Sequence, residues 1–314
     1  MKTLTERLYE YLEVRRAMGY DLRFPERVLK KFTAYADERS ATHITTDLFK
    51  AWKHDYGNAD TNTWSARLSM VRSFARWLRG IDGISEIPPR DIAIGKFKRA
   101  KPYIYSEQEI HDIIAEAAKL RSEYGFRGLT SSTLFGLIAV TGLRINEALG
   151  LEKEHIDLSA GTLEILKSKS GNERCIPLSP STVDKLGEYL EQRQHITGLD
   201  GGPIFVRYTG APLGDCGARY TFAQVSRRVG LRKSTGFKRH GTGPRIHDLR
   251  HTFAVRTIIA WYKADLDVDR EMYKLSAYLG HKKPVHTYWY IEAVPELMQL
   301  ASERSEILLN RRQR

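Results

Sequence analysis

The stretch GTLEILKSKSGNERCIPLS, residues 161–179, is where the pattern of the sequence changes. Its apolar residues alternate with polar ones on both sides of Ser170-Gly171-Asn172, and alternation around a turn signal predicts a β-hairpin with Lys169 at or beside its tip. The segments on either side have apolar residues three and four apart, which is typical of helices. The sequence therefore predicts a mainly α protein with a small β-sheet, of the α+β class.

The length of 314 residues favours two domains, each with its own core. Residues 1–85 have helical periodicity without strand alternation, so we interpret them as a small helical domain. Residues 86–102 contain a proline pair and a basic second half, which indicates a linker. Ser106 and Glu109 form a capping box that opens a helix, and residues 103–314, with a C-terminal helical tail, are the predicted second domain.

The charge of the chain favours a polyanionic partner. Lys and Arg total 50 against 38 Asp and Glu, a net charge of +12. No apolar run is long enough for a membrane span, and the N-terminus lacks the apolar core of a signal peptide, so we expect a cytoplasmic, nucleoid-associated protein without membrane contact. Cys175 and Cys216 lie far apart and outside any C-x-x-C pair, which argues against a disulfide framework or a zinc site.

Two basic segments are candidate phosphate contacts. In TNTWSARLSMVRSFARWLRG, residues 61–80, arginines fall together beside an apolar stripe, and lysines and an arginine crowd the end of the linker. A solvated face is the alternative for both segments. The predicted DNA-binding residues are Arg72, Arg76, Arg79, Lys96, Lys98, Arg99 and Lys101.

Four further motifs follow in order along residues 103–300: TGLRINEALGL, the hairpin lysine, HDLRH and LGHKKPVHTYWY. In this order and setting the chain resembles the tyrosine recombinases, the site-specific integrase family, in a simple two-domain form. Lys167 is a weaker alternative for the lysine. The resemblance assigns the catalytic positions to Arg144, Lys169, His247, Arg250, His281 and Tyr290.

The resemblance implies a helical core-binding domain followed by a catalytic domain. It implies an enzyme that cleaves and rejoins double-stranded DNA through a 3′-phosphotyrosyl intermediate, with no metal or other cofactor. The expected assembly is a homo-tetramer, two dimers at a synapse. HTYWYIEAVPEL is also similar to integrases of transposons and other mobile elements. The tail after this segment could dock on an adjacent subunit or on its own domain.

The chemistry explains these residue types. Attack on a phosphodiester builds negative charge that the forked donors of Arg144 and Arg250 suit. His281 would hydrogen-bond a phosphate oxygen, and Lys169 would protonate the departing 5′ oxygen. Tyr290 would lose its proton to His247 or with help from the positive field.

Two placements follow from helical spacing. His247 and Arg250, three residues apart, share one helix face. Tyr288 and Tyr290 would point about 200° apart on a helix, and the spacing from His281 selects Tyr290 as the nucleophile.

Other functions explain less of the pattern. A type IB topoisomerase uses similar residues, and an accessory DNA-binding protein could keep the fold without cleaving. A tRNA or membrane-surface binder would explain only the charge. His247 and His251 have the spacing of a metal pair, but the glutamate of H-E-x-x-H is absent, so His251 is predicted to be structural.

Overall fold

The computed structural model describes residues 2–96, 101–166, 173–235 and 238–312. The chain divides into two compact units, Met1–Ala100 and Lys101–Arg314. Buried apolar residues form one cluster in the first unit and two clusters in the second.

The first unit is helical. Thr3 and Glu6 form a capping box at its first helix, and the Asp60 side chain caps the fourth. Trp52 lies in the core, its ring centroid 5.2 Å from those of Phe32 and Trp64. The helices are α1 (Leu4–Ala17), α2 (Arg23–Asp37), α3 (Thr46–Asp55) and α4 (Thr61–Asp82).

Residues 86–96, in the described part of the predicted linker, belong to the first compact unit. The Glu86 N–H donates to the carbonyl of Ile44 at 2.7 Å, and the Glu86 carboxylate accepts from the Thr46 N–H at 2.8 Å. Ala93 is 4 % exposed and belongs to the apolar core of the unit. The proline pair and the basic residues predicted a linker, whereas these hydrogen bonds and the buried Ala93 hold the segment against the first unit.

The described candidate catalytic residues lie in the second unit, on helices or in the segments that adjoin them. Strands β1, β2 and β3 form one antiparallel sheet, and β4 pairs with β5. The helices are α5 (Glu107–Ala118), α6 (Phe126–Thr141), α7 (Ile145–Leu149), α8 (Pro180–Thr197), α9 (Asp215–Arg228), α10 (Ile246–Lys263), α11 (Val268–Tyr278), α12 (Val285–Ala293) and α13 (Pro295–Arg312). The strands are β1 (Ile156–Asp157), β2 (Thr162–Ile165), β3 (Arg174–Pro177), β4 (Lys233–Thr235) and β5 (Lys238–Thr242).

The hairpin predicted over residues 161–179 is confirmed in its strands. β2 and β3 are antiparallel, with Ile165 opposite Arg174. The turn, residues 167–172, includes Lys167 and Lys169 and lies outside the described residues. The β4–β5 hairpin was not predicted, because its Lys, Ser, Arg and Gly residues give no alternation of apolar side chains.

Helices α6 and α10 pack together and position the motifs. α6 ends at Gly142, whose φ of 63° is the left-handed conformation that glycine adopts without strain, and the chain then turns into α7. α13 packs on α10 and α12 of its own unit, and Leu297 is fully buried there. The first turn of the C-terminal tail therefore docks on its own domain.

We expect Gly128→Ala to destabilise the protein by about 1–3 kcal/mol, the range for overpacked sites. A Cβ at Gly128 of α6 would lie 2.4 Å from the backbone oxygen of Ala118, so α5 and α6 would have to separate. Gly136→Ala is the matched control on the same helix, because its Cβ would meet only the Ile114 methyl at 3.7 Å. Denaturant unfolding measures both, and equal effects would contradict the role of this close contact.

Candidate active site

Arg144 begins α7 and is tied to Glu147 one turn later. The Glu147 carboxylate accepts from the Arg144 backbone N–H at 3.0 Å and from its Nη1 at 2.7 Å. The Arg144 guanidinium is therefore fixed by the first turn of its own helix and remains about one quarter exposed.

Glu147 is a buried carboxylate surrounded by arginines. Its oxygens lie 2.7 Å from Nη2 of Arg174 and 3.9 Å from Nη1 of Arg250, in addition to Arg144. Burial acts to raise the pKa of Glu147, but hydrogen bonds from Arg174 and Arg144 outweigh it and hold that pKa below 4.5. Three guanidinium groups thus share one anion, which leaves an excess of positive charge.

Arg250 on α10 is 1 % exposed and donates to two backbone carbonyls. Its Nη1 lies 2.7 Å from the oxygen of Gly142, and its Nη2 lies 2.5 Å from that of Leu279. Arg144 donates to the next carbonyl, Gly280, at 3.0 Å. Burial lowers the pKa of Arg250 to about 10, so it is still charged at neutral pH. The two arginines hold the turn that precedes His281.

Arg174 on β3 is a member of this cluster that the sequence did not predict. Its Nε donates to the Tyr278 carbonyl at 2.7 Å, and its Nη1 is buried without a hydrogen-bond partner in the part of the chain that the structure describes. A Cβ on Gly280 would lie 3.0 Å from that Nη1. The alternation of side chains along β3 could have indicated Arg174, because it shares a strand face with the fully buried Ile176.

The histidines of α10 adjoin the arginines. The rings of His247 and His251 are 4.6 Å apart. Burial lowers the pKa of His247 to about 3, and His251 and Arg250 act in the same direction. His247 is therefore neutral at physiological pH in this state.

Tyr290 on α12 is buried beside these histidines. It is 1 % exposed, and its Oη lies 2.8 Å from Nδ1 of His251. This contact is a second feature that the sequence did not predict. Tyr288 instead is half-buried, with its hydroxyl 3.4 Å from Asp269. The two tyrosines thus have different surroundings, as helical spacing predicted.

His281 follows the turn held by the arginines. Its Nδ1 lies 2.8 Å from Oγ1 of Thr287, a buried residue of α12. The structure therefore brings Arg144, Arg250, His247, His281 and Tyr290 into one unit, on adjoining elements. Of the six predicted catalytic residues, Lys169 lies outside the described residues.

The predicted DNA-binding residues differ in exposure. Arg76, Arg79, Lys96 and Lys101 are exposed, whereas Lys98 and Arg99 lie outside the described residues. Arg72 is half-buried, and its Nη1 donates to the carbonyl of Pro88. A cavity of about 390 Å³ beside α4 is lined by Ser65, Leu68, Ser69, Arg72, Ser73, Arg76 and Arg90.

Neither a metal cluster nor a membrane helix is found in the part of the chain that the structure describes. No three His, Cys, Asp or Glu side chains there are placed to hold a metal ion. Among the described helices, none has the length and apolar character needed to cross a membrane.

The comparison with known families agrees with this geometry. Residues 105–296 match the phage integrase family. The chain belongs to that family. The predicted tyrosine-type site-specific DNA recombinase, an enzyme that breaks and joins DNA strands, is thereby confirmed, and so is the α+β fold class.

Relatives of this recombinase cover most of the chain. The putative integrase/recombinase y4rB of Sinorhizobium fredii is 38% identical over 311 residues, 98% of both chains. The tyrosine recombinase XerC of Thermodesulfovibrio yellowstonii is 27% identical over 224 residues, 70% of this chain and 67% of the relative.

Solved structures share the fold. The Tn1549 transposon integrase, in complex with transposon right end DNA, has a TM-score of 0.65 at 14% identity and covers 96% of this chain and 99% of its own. The XerH recombinase bound to palindromic difH substrate has a TM-score of 0.63 at 19% identity, over 89% of this chain and 78% of its own.

We expect Glu147→Gln to lower the free energy of unfolding of this recombinase by about 3 kcal/mol, the cost of leaving buried charges without their partner. The pKa of Glu147 is lower in the folded protein than in the unfolded chain, so its contribution is full above the unfolded pKa and is lost as the pH falls through the lower folded pKa. The variant should lack this part of the acid dependence. Exposed Glu164→Gln on β2 is the control, and denaturant unfolding at several pH values would contradict the expectation if both variants matched wild type.

Proposed function

We propose that Tyr290 attacks a DNA phosphodiester held by Arg144 and Arg250, which forms a 3′-phosphotyrosyl bond and releases a 5′ hydroxyl. The observation that carries this proposal is the contact between the Tyr290 hydroxyl and His251, the residue that follows Arg250 on α10. The nucleophile and the phosphate-binding cations therefore belong to one site.

The excess positive charge around Glu147 supports phosphate binding. As the tyrosine attacks, negative charge grows on the phosphoryl oxygens, and guanidinium groups that are already fixed stabilise it without reorganising. Backbone carbonyls and Glu147 fix Arg250 and Arg144 in this way. Arg174 would add its charge from β3 without direct contact.

The last step of the proposed chemistry is protonation of the leaving 5′ oxygen by Lys169. The 5′ oxygen is a poor leaving group until it gains a proton, and Lys169 is proposed to supply it. Arg174, at the base of the hairpin on β3, is bonded to Glu147 at 2.7 Å. The described strand β3 of this hairpin is thus anchored to the arginine cluster.

DNA contacts outside the site are proposed for the basic residues. Arg76 and Arg79 on α4 and Lys96 and Lys101 after it are exposed, as phosphate contacts require. Lys98 and Arg99 are proposed as DNA contacts from the sequence alone. Arg72 lines the cavity beside α4 and donates a hydrogen bond to the Pro88 carbonyl, and we propose that this cavity receives a DNA phosphate. Residues 1–85 would be the core-binding domain and residues 103–314 the catalytic domain.

The wider biology proposed is recombination of a mobile element. The XerH structure is of a recombinase on a palindromic substrate, and the Tn1549 protein is a transposon integrase on a transposon end. A site with paired half-sites calls for symmetric binding, so the proposed working form is a homo-tetramer of two dimers on double-stranded DNA, located with the chromosome. No cofactor is needed, because the tyrosyl linkage conserves the energy of the cleaved bond.

Tyr290→Phe should bind DNA normally and form no covalent adduct, because it keeps the ring and loses the attacking oxygen. Tyr288→Phe is the matched control and should form the adduct. The assay is incubation with a nicked suicide duplex followed by mass spectrometry of the trapped peptide. An adduct on Tyr288, or one that persists in Tyr290→Phe, would refute the assignment.

Lys169→Ala should bind DNA and cleave about 10²-fold or more slowly, as expected for loss of a general acid. Activity should return on a duplex whose bridging 5′ oxygen is replaced by sulfur, since a thiolate leaves without a proton. Lys167→Ala is the control and should have neither the defect nor the rescue. Without sulfur rescue, Lys169 would not be the acid.

A further inference from the structure

His251 is a buried group in contact with the hydroxyl oxygen of Tyr290. Its Nδ1 is 2.8 Å from that oxygen, and the two side chains are 7 % and 1 % exposed. The Trp289 ring centroid is 5.9 Å from that of His251. A short, buried contact thus joins a phenol and an imidazole beside an aromatic ring, and a distance of this kind is what proton transfer requires.

His247, the histidine that the family resemblance suggests, is less suited to accept this proton. Burial lowers its pKa to about 3, with His251 and Arg250 acting in the same direction. A group that holds a proton so weakly is a poor base at neutral pH. The contact of His281 at Nδ1 is with Thr287.

We propose that His251 is a catalytic residue, the proton acceptor of Tyr290; this inference rests on the proposed function. With the His251 proton on Nε2, Nδ1 accepts the hydrogen bond from the Tyr290 hydroxyl. As Oη forms its bond to phosphorus, the phenolic proton passes to Nδ1. The bond from phosphorus to the 5′ oxygen breaks, and that oxygen takes its proton from Lys169. Rejoining reverses each transfer, and His251 returns the proton to Tyr290.

The neighbours of His251 are compatible with a temporary positive charge. Asp248 lies on the same helix and is buried, and the phosphate would bring negative charge close to Arg250. His247 is neutral, so its ring 4.6 Å away adds no repulsion. The cost of protonating a buried imidazole is thereby reduced while DNA is bound.

The test uses His251→Asn in single-turnover cleavage of the nicked suicide duplex. The Asn oxygen lies near the place of Nδ1 and can accept the hydrogen bond, but it does not take up a proton. We expect cleavage about 10²-fold slower or more, the usual loss for a missing general base, with DNA binding unchanged. His111→Asn, an exposed histidine on α5, is the control and should cleave at the wild-type rate.

A second substitution separates proton transfer from a structural effect. Tyr290 is replaced by trifluorotyrosine, whose phenol loses its proton more readily, in both wild-type and His251→Asn proteins. We expect the deficit of His251→Asn to shrink about tenfold or more, because a more acidic nucleophile depends less on its base. If His251→Asn fails to fold, His251→Gln is measured in the same way.

The outcomes distinguish this inference from the proposed function. The role of His251 would be overturned if the folded His251 variant cleaved DNA as fast as the wild-type protein. It would also be overturned if the variant lost the same factor in cleavage rate with tyrosine and with trifluorotyrosine at position 290. In both cases the adduct on Tyr290 would still stand. Failure of the wild-type protein to form an adduct on Tyr290 would instead refute the proposed function.

Discussion

The buried carboxylate of Glu147 is the constraint on which the catalytic unit depends. It joins Arg144 of α7, Arg174 of β3 and Arg250 of α10, three elements far apart in the sequence. Buried ions are costly unless their hydrogen bonds are satisfied, so these elements cannot shift independently. One anion among three cations also leaves a positive centre that a phosphate would complement. The same interaction thus serves both the fold and the chemistry.

Backbone carbonyls, together with Glu147, hold the guanidinium groups in place. Arg250 donates to Gly142 and Leu279, and Arg144 donates to Gly280, so the guanidinium groups are held by the chain itself. This arrangement fixes the donors before any substrate arrives. A preorganised site does not have to reorient its dipoles during the reaction, which is the main source of electrostatic catalysis.

The sequence predicted the parts of the site that local spacing controls. His247 and Arg250 share a helix face because they are three residues apart, and the hairpin strands follow from alternation. Arg174 and the contact of His251 with Tyr290 were missed because they depend on packing between β3, α10 and α12. For the same reason the sequence did not predict that hydrogen bonds to distant residues hold the described part of the predicted linker.

The turn at Leu279 and Gly280 lies between the arginines proposed to bind phosphate and the helix of the proposed nucleophile. Arg250 and Arg144 hold its carbonyls, and α12, which carries Tyr290, begins a few residues later. His281 between them contacts Thr287 of α12. The groups proposed to hold the phosphate therefore also hold the turn that precedes the helix of Tyr290. A change in these arginines should alter the position of Tyr290 as well as the affinity for phosphate, because both rest on the same hydrogen bonds.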